Sequence, residues 1–458
     1  MSTRVGGGLG GAAGGGTGGP ADGGASGGAG SGGGGGIDGV AGGSGGRSGS
    51  GGVNGAGGGA AGAGSGGAAG TGTGTGGAGG DGQTHWVGAW ACGPQLTEPA
   101  NVPPAPGLGG NTLRQVVYTS IGGSRLRVQL SNVFGNGPVT MSAVHLAVST
   151  GASAIDTRTD IGLAFGGSPN VTIPAGQAVF SDAFDYALAA LTRMALTIHF
   201  TAAPTNITGH PGSRTTSYLA SGDVVAAATL PAPVSAEHWY YITGIDVMAD
   251  AATSAVVTLG DSITDGRGTT TDLNNRWPDD LSRRLRASTP TAKVAVLNQG
   301  IGGGAVVTGG LGPTAVARFQ RDVLDQRGVR YLIVLEGVND IGESTGAGQT
   351  VATALINAYG SFIDMAHARN ILVYGVPILP FGGHGYDSVE HQSARTMVNA
   401  WIRTGGRFDA VIDLDAAVRD PLNPSILAAA YDTGDHLHLN PTGYQKMADT
   451  IDLTLFTR

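Results

Sequence analysis

The sequence predicts an α/β fold with a parallel sheet, preceded by an antiparallel β-sandwich of jelly-roll-like type and by a disordered Gly-rich segment. Three observations point to this architecture. Glycine dominates residues 1–82, polar and apolar residues alternate from about residue 86 to 247, and short apolar runs alternate with helical patterns after about residue 249. We therefore expect three parts, at 1–82, 83–249 and 250–458.

The first part is too poor in apolar side chains to form a core. Residues 1–82 hold 44 of the 86 glycines, no aromatic residue and five charged residues. Such a segment cannot bury enough apolar surface to offset the backbone entropy lost on folding. We expect a disordered, low-complexity tether or spacer, and a tail without a role is the plainer interpretation.

The second part has the period-two pattern of antiparallel strands. Leu126, Val128 and Leu130 fall on one face of a predicted strand, with polar residues between them, and residues 193–200 repeat the pattern. Several short strands of this kind, separated by Gly- and Pro-containing turns, favour a β-sandwich. We predict its last strand at 239–242.

The third part alternates strands and helices. Apolar runs predict strands at 255–259, 294–297, 331–335, 371–374 and 410–414, and helical patterns predict helices at 277–287, 351–368, 393–404 and 442–456. Nearly continuous apolar strands separated by helices indicate a parallel sheet that is covered on both faces. Functional residues are expected at the carboxyl ends of these strands.

Charge and cysteine content exclude several kinds of protein. The chain has a formal net charge of −8 and no basic cluster, which argues against nucleic acid or an anionic membrane surface as the main partner. It has no apolar stretch of about eighteen residues that would predict a membrane span. Cys92 is its single cysteine, which excludes an internal disulfide and a Cys-based zinc site.

A serine follows the first strand of the third part. Gly260 permits a tight exit from this strand, and Ser262 would then lie at the start of the next segment, facing the site. A serine hydroxyl becomes an effective nucleophile when a histidine takes its proton. For an isolated Gly-Asp-Ser, a serine that caps a helix is the plainer interpretation.

Two further strand exits carry candidate hydrogen-bond donors. After the second strand, the glycines of 300–304 allow a backbone N–H to approach a developing oxyanion, and after the third strand the carboxamide of Asn339 offers another donor. The alternatives are a phosphate-binding loop for the glycines and a simple turn for Asn339. The phosphate-loop fingerprint fits poorly here.

The last candidate cluster is Asp435-His436-Leu437-His438, ahead of the final predicted helix. A spacing of three lets Asp435 accept from Nδ1–H of His438 while Nε2 faces a serine. His436 is predicted to face solvent or to pack. A metal site of Asp435, His436 and His438 is an alternative that no further ligand cluster supports.

These four pieces, in this order, resemble blocks I, II, III and V of the SGNH/GDSL hydrolase superfamily, with Ile263 where the motif has leucine. Residues 112–115, 121–132 and 165–169 resemble the β-sandwich that precedes the catalytic domain in one bacterial branch. The resemblance implies a three-layer α/β/α, flavodoxin-like catalytic core. It implies that Ser262 is the nucleophile, that His438 is the base and that Asp435 orients the base. It also implies three oxyanion donors: the N–H of Ser262, the N–H of Gly303 (with Gly302 and Gly304 as alternatives) and the Asn339 side chain.

The expected function is hydrolysis of carboxylic esters through an acyl-enzyme, with neither a metal nor an organic cofactor. Short acyl or acetyl esters, on small molecules or on polysaccharide, are the expected substrates. Residues 377–387 follow the fourth strand and can form part of the acyl pocket, and His384 among them is a weaker candidate base. The alternatives are a lipase, phospholipase or thioesterase of the same superfamily, and a noncatalytic surface glycan-binding protein.

A Gly-rich spacer ahead of a hydrolase domain suits an extracellular or cell-surface protein. Residues 1–6, however, open with no apolar h-region, so no secretory signal is visible. We expect a monomer that binds no nucleic acid and has no membrane span. The β-sandwich is expected either to bind a glycan or to shape one wall of the catalytic cleft.

Overall fold

The structure, a computed structural model, describes residues 84–346 and 348–458. The tether predicted at 1–82 lies outside these residues. The described chain belongs to one compact unit, in which a β-rich region with antiparallel sheets precedes a region with a parallel sheet. None of the described helices has the length and apolar character needed to cross a membrane.

The β-rich region contains short and long strands. They are β1 Thr84–Ala91, β2 Gln95–Leu96, β3 Asn111–Thr119, β4 Gly123–Ser131, β5 Val139–Gly151, β6 Ala154–Ile155, β7 Ile161–Gly162, β8 Val171–Ile173, β9 Ala178–Phe180, β10 Phe184–Leu188, β11 Thr192–Ala202, β12 Thr208–His210, β13 Ser217–Ser221, β14 Val234–Ala236, β15 Trp239–Tyr240 and β16 Ile242–Asp250. Two 3-10 helices, Pro99–Asn101 and Thr157–Thr159, connect them.

These strands form three antiparallel sheets. One has the order β1-β16-β4-β10, with β9 also paired to β4. A second has the order β14-β13-β3-β11-β5-β6, with β7 and β8 also paired to β5, and β15-β12-β2 form a third. As the alternation predicts, Leu126, Val128 and Leu130 of β4 are buried, so the apolar face of this strand points into the core.

The prediction of a last strand at 239–242 was wrong. Tyr241 adopts a left-handed backbone conformation (φ 62°), which ends the extended conformation of β15 and separates this strand from β16. The last antiparallel strand is β16, which pairs with both β1 and β4. Ile245 and Val247 of β16 are fully buried, so this strand belongs to the core of its sheet.

The second region contains the strands β17 Ser254–Gly260, β18 Val294–Gly300, β19 Val329–Leu335, β20 Leu372–Gly375 and β21 Ala410–Val411. They form one parallel sheet in the order β18-β17-β19-β20-β21. Its helices are α1 Ser262–Asp265, α2 Trp277–Ala287, α3 Ala315–Phe319, α4 Val338–Gly342, α5 Gly348–His367, α6 Val389–Thr404, α7 Leu414–Val418 and α8 Pro441–Thr450. A π-helical turn at Gln320–Leu324 follows α3, and 3-10 helices lie at Thr289–Thr291 and Leu453–Thr457.

The five parallel strands and the four longest helices lie close to their predicted positions, and four short helices were not predicted. The helix α6 begins at Val389 instead of 393, where Ser388 caps it, and two larger differences occur at the end of the chain. The strand predicted at 410–414 is shorter, because Asp413 caps α7 and the helix begins at Leu414. The last helix ends at Thr450 instead of 456, because the side chain of Asp452 accepts from the N–H of Thr454 and begins a separate 3-10 helix. Both differences follow from a local side-chain cap.

Candidate active site

The candidate nucleophile lies in the turn between β17 and α1. A side chain at Gly260 would put its Cβ 2.5 Å from the carbonyl oxygen of Leu335 on the neighbouring strand, so glycine alone fits there. The Asp261 side chain accepts from the N–H of Ile263 (2.9 Å) and caps the short helix. Ser262 is buried at the first helical position, where a backbone N–H has no intrahelical partner.

Ser262, His438 and Asp435 form one hydrogen-bonded chain. The Oγ of Ser262 lies 2.8 Å from Nε2 of His438, and Nδ1 of His438 lies 2.7 Å from Oδ2 of Asp435. The second carboxylate oxygen of Asp435 accepts from the backbone N–H groups of Leu437 (3.0 Å) and His438 (2.8 Å). These contacts fix the carboxylate beside the imidazole ring.

The hydrogen bonds also define the protonation states of this chain. Partial burial raises the pKa of Asp435, but the hydrogen bonds from the His438 side chain and backbone outweigh burial and hold this pKa well below its usual range. An ionised Asp435 can only accept, so Nδ1 of His438 carries the proton and Nε2 is left to accept from the Ser262 hydroxyl. This tautomer is the one a general base at Ser262 requires.

Hydrogen bonding distinguishes the three glycines that follow β18. The N–H of Gly302 donates to Oδ2 of Asp265 (3.1 Å), and the N–H of Gly304 donates to the carbonyl of Ile301 (2.9 Å). Within residues 84–346 and 348–458, the N–H of Gly303 has no acceptor. Gly303 lines the same cleft as Ser262. Among the three, Gly303 is therefore the one with a donor left for a ligand.

Asn339 is held in a defined orientation at the start of α4. Its Nδ2 donates to the carbonyl of Gly304 (2.7 Å), and its Oδ1 accepts from the hydroxyl of Tyr386 (3.1 Å). Since an amide nitrogen carries two hydrogens, one N–H of Asn339 remains for the cleft. The adjacent Asp340 accepts from the backbone N–H of Val306 (2.7 Å), so α4 also fixes the glycine loop.

A histidine from the β-rich region reaches the same loop, and the sequence analysis missed it. Nε2 of His210 lies 2.9 Å from Oδ1 of Asp265, and Nδ1 lies 2.8 Å from the carbonyl oxygen of Gly93. His210 and Asp265 are both buried. The other oxygen of Asp265 accepts from Gly302, as described above. A chain of contacts therefore runs from the β-rich region to the glycine loop.

The charge of Asp265 follows from the same contacts. Burial raises the pKa of Asp265, but the charge and hydrogen bond of His210, together with Arg214 and Arg276, outweigh it and hold this pKa below its usual value. With the Asp265 carboxylate on one side and the Gly93 carbonyl on the other, each ring nitrogen of His210 lies against an acceptor. A lone histidine far from any motif does not predict, from the sequence, a contact with Asp265 beside the site.

A second residue that the sequence analysis missed is Arg318, buried beneath the site. Its guanidinium donates to the carbonyls of Gly260 (3.0 Å) and Gln299 (2.5 Å) and to the carboxylate of Glu336 (3.1 Å). One cation thus connects the carboxyl ends of β17 and β18 with the residue that follows β19. Burial raises the pKa of Glu336 to about 7, although Arg318 opposes the shift.

The other histidines near the site have different partners. His436 is exposed and its Nδ1 lies 2.7 Å from Oδ2 of Asp432, consistent with the prediction that it faces solvent. Nδ1 of His384 accepts from the N–H of Tyr386 (3.1 Å), and burial lowers the pKa of His384. In the described part of the chain, no group of three or more His, Cys, Asp and Glu side chains is arranged to hold a metal ion.

All five predicted site residues line one cleft of about 410 Å³: Ser262, Gly303, Asn339, Asp435 and His438. The β-rich region also contributes to its wall, through Gln95, Pro211, Gly212 and Arg214. His384 and Tyr386, from the predicted acyl-pocket segment 377–387, line it as well. The cleft therefore lies at the carboxyl ends of the parallel strands and between the two regions.

Several solved structures resemble this chain in part. The lipase/acylhydrolase from Enterococcus faecalis is 18% identical, with 44% of this chain and 96% of that chain covered and a TM-score of 0.35. A member of the lipolytic protein G-D-S-L family from Veillonella parvula is 20% identical, with 45% and 100% covered and a TM-score of 0.33. A family two carbohydrate esterase from Cellvibrio japonicus is 12% identical, with 81% and 97% covered and a TM-score of 0.32. At TM-scores this low, the similarity to these structures does not indicate a function.

Sequence comparison gives the clearer result. No curated protein sequence matches the chain. The model of the GDSL-like Lipase/Acylhydrolase family matches residues 258–446. This range contains all five residues that the sequence analysis selected and that line the cleft. The chain therefore carries, at residues 258–446, a domain of the GDSL-like lipase/acylhydrolase family.

Proposed function

We propose that this protein is a serine esterase that hydrolyses carboxylic esters through Ser262, His438 and Asp435. The observation that carries this proposal is the hydrogen-bonded chain between these side chains, with distances of 2.8 Å and 2.7 Å. Membership of the GDSL-like lipase/acylhydrolase family supports an ester-hydrolysing enzyme at the coarser level.

In the proposed mechanism, Nε2 of His438 takes the proton of the Ser262 hydroxyl as Oγ attacks the ester carbonyl. The tetrahedral oxyanion is held by the N–H groups of Ser262 and Gly303 and by the second N–H of the Asn339 carboxamide. The alcohol leaves with the proton from His438, and water then hydrolyses the acyl-enzyme by the reverse sequence. Asp435 orients the imidazole and stabilises it while it is charged.

The lining of the cleft supports a short acyl group. Its aliphatic side chains are those of Pro211, Leu311 and Leu437, and most of its other residues are polar or glycine. Each methylene moved from water into an apolar site contributes about 0.8 kcal/mol, and a long acyl chain finds little apolar surface here. We therefore favour acetyl or other short-chain esters, on small molecules or carbohydrate, over lipid substrates.

We also propose the domain organisation around this site. The two larger antiparallel sheets would form a sandwich within residues 83–249, and residues 250–458 would form a three-layer α/β/α catalytic domain. The buried apolar side chains on both kinds of sheet support this arrangement. Residues 1–82 would act as a spacer, as their composition indicates.

The setting of the protein is likewise a proposal. We propose a monomer that acts outside the cell or at its surface, supported by the Gly-rich composition of residues 1–82. Light scattering of the purified protein measures its mass, and fractionation of the producing cells locates it. A stable dimer or a cytosolic pool would contradict these two proposals.

Replacement of the candidate nucleophile tests the mechanism. Ser262→Ala and His438→Ala should each lower turnover of an aryl acetate by at least about three orders of magnitude, because both groups act in one step. A fluorophosphonate probe should label the wild type and fail to label Ser262→Ala. Ser361→Ala, at an exposed position of α5, is the matched control and should keep both turnover and labelling.

Circular dichroism shows whether each variant is folded. A folded Ser262→Ala variant that keeps normal turnover would overturn the proposed nucleophile. If the wild type neither hydrolyses aryl acetates nor takes up the probe, the esterase proposal fails. A panel of acyl chain lengths, head groups and thioesters then separates an esterase from a lipase, phospholipase or thioesterase.

A further inference from the structure

Two arginines line the cleft without a carboxylate partner. Arg214 comes from the β-rich region and Arg267 from the segment that follows α1, and both line the cleft with Ser262. Within residues 84–346 and 348–458, no carboxylate lies within ion-pair distance of either guanidinium. The Nε of Arg214 is buried and has no hydrogen-bond partner among these residues.

The carboxylates that line the same cleft are already engaged. Asp265 is hydrogen-bonded to His210 and accepts from the N–H of Gly302. Asp435 is hydrogen-bonded to the side chain and backbone of His438. Each carboxylate is hydrogen-bonded to a histidine and neither forms an ion pair with Arg214 or Arg267, although the charge of Arg214 contributes to the lowered pKa of Asp265. Both guanidinium groups therefore line the space where a substrate would bind without a carboxylate in ion-pair contact.

The segment that carries Arg214 is fixed from both sides. Arg214 has a left-handed backbone conformation (φ 50°), which is sterically disfavoured for a residue with a side chain. Its carbonyl accepts from the N–H of Asp272 (3.0 Å), and the Asp272 carboxylate accepts from the backbone N–H and hydroxyl of Thr216 (2.7 Å each). Arg276 also donates to the carbonyl of Ser213. Contacts with the second region thus hold Arg214 in a strained backbone conformation at the cleft, as is common at binding sites.

Arg267 lies in the second region, five residues after the candidate nucleophile, and its side chain is exposed. Its backbone N–H donates to the carbonyl of Ser262 (2.9 Å), which fixes the backbone at this position. The Arg267 side chain lines the cleft together with Ser262 and His384.

We propose that the cleft binds esters that carry an anionic group, and that Arg214 and Arg267 hold this group beside the scissile bond. Guanidinium groups bind carboxylates through paired, charge-assisted hydrogen bonds, so a carboxylate is the favoured anion. The proposal rests on the proposed esterase function and names its substrate class. The net charge of −8 disfavours anions at long range, so any preference for an anionic ester must arise in the cleft.

Matched ester pairs test this inference. The acetates of meta-hydroxybenzoate and meta-hydroxybenzamide have similar shape and differ in charge, and the monophenyl esters of adipate and adipamate form a second pair with the charge on the acyl side. For at least one pair, kcat/KM should be about tenfold higher for the anionic ester, mainly through a lower KM, as expected for a hydrogen bond to a charged group. An acetate of meta-hydroxybenzenesulfonate shows whether a sulfonate replaces the carboxylate.

Arginine variants assign the preference to the cleft. Arg214→Gln and Arg267→Gln should each lower the anionic-to-neutral ratio of kcat/KM by about tenfold, and Arg214→Lys should keep part of it. Arg369→Gln, at an exposed position after α5, is the control and should leave the ratio unchanged. Equal kcat/KM for both members of both pairs, or a preference that survives in the double variant, would overturn this inference alone. Absence of turnover on every ester would overturn the proposed function as well.

Discussion

At the scale of single residues, the candidate nucleophile follows a carboxyl group that resists ionisation. Burial, with the charges of Glu336 and Asp340 nearby, raises the pKa of Asp261 to about 8. The same side chain caps α1 by accepting from Ile263. Because the cap needs an oxygen acceptor and no charge, a neutral carboxyl or a carboxamide can serve it.

The raised pKa predicts a pH-dependent stability. In the unfolded chain an aspartate titrates at about pH 4, whereas folded Asp261 keeps its proton up to about pH 8. Between these values the folded state binds more protons, so the free energy of unfolding falls as pH rises. Asp261→Asn removes this contribution and keeps the cap acceptor.

We expect the melting temperature of the wild type to fall more between pH 5 and pH 8 than that of Asp261→Asn. Glu336 has a raised pKa in the same window and contributes to the slope of both proteins, so the difference between the two slopes reports Asp261 together with its interaction with Glu336. Scanning calorimetry at several pH values measures both slopes. Equal slopes would show that folded Asp261 is ionised across this range.

At the scale of elements, the segment before α8 positions the candidate base. Asn440 caps α8 by accepting from the N–H of Gly443 (3.0 Å), and its Nδ2 donates to the carbonyls of Ala430 (3.0 Å) and Asp432 (3.3 Å). The backbone N–H of Thr433 donates to the carbonyl of His438 (3.1 Å). The helix cap and the loop that carries Asp435 and His438 thus share one side chain.

Asn440→Ala is expected to affect both stability and activity. It removes the cap, which costs about 1 kcal/mol, and it also removes the two Nδ2 bonds that hold the loop. Asn440→Ser keeps a cap acceptor and loses the Nδ2 bonds, so it should retain more of the free energy of unfolding. Urea titration measures stability and aryl acetate hydrolysis measures kcat. An Ala variant with unchanged kcat would show that the loop is held by other contacts.

At the scale of the whole molecule, the two regions meet at a buried histidine–aspartate pair beside the site. His210 belongs to β12, and its partner Asp265 belongs to α1 and also accepts from Gly302. A Cβ at Gly212 would lie 1.6 Å from the Asp265 carboxylate, so the β-rich region closes over this residue where only glycine fits. The glycine loop therefore depends on both regions.

His210→Ala is expected to destabilise the protein strongly. It removes the hydrogen bond from His210 to the buried Asp265 carboxylate, and a buried acceptor that loses its partner costs on the order of 1–3 kcal/mol, or more when it is charged. Because Asp265 also accepts from the N–H of Gly302, kcat should fall together with the free energy of unfolding. His210→Gln, which keeps a donor, should recover part of both quantities. Unchanged urea stability and kcat in His210→Ala would contradict a coupling between the regions.

The spacer proposed for residues 1–82 gives a prediction at the same scale. Deletion of these residues should leave kcat/KM for a small soluble ester unchanged, because every residue that lines the cleft lies beyond them. The control is the full-length chain measured in parallel. A large loss of specific activity would show that the Gly-rich segment contributes more than spacing.

The sequence by itself determined the features that depend on local pattern. Apolar runs and helical patterns predict the five parallel strands and the four longest helices, and side-chain alternation predicts β4 and β11, because burial repeats with the period of each element. The spacing of Asp435 and His438 and the position of Ser262 after an apolar strand predict the proposed triad, because these relations are local. Local caps and one left-handed tyrosine account for the errors at 239–242, 410–414 and 442–456.

Only the tertiary structure decided which distant groups complete the site. His210 and Arg214, from the β-rich region, and Arg318, beneath the strand ends, have no sequence spacing that links them to Ser262. Their roles arise because buried charges and polar groups must find partners wherever the packed chain brings them together. The choice of Gly303 over its neighbours likewise follows from which N–H groups the folded chain has already used.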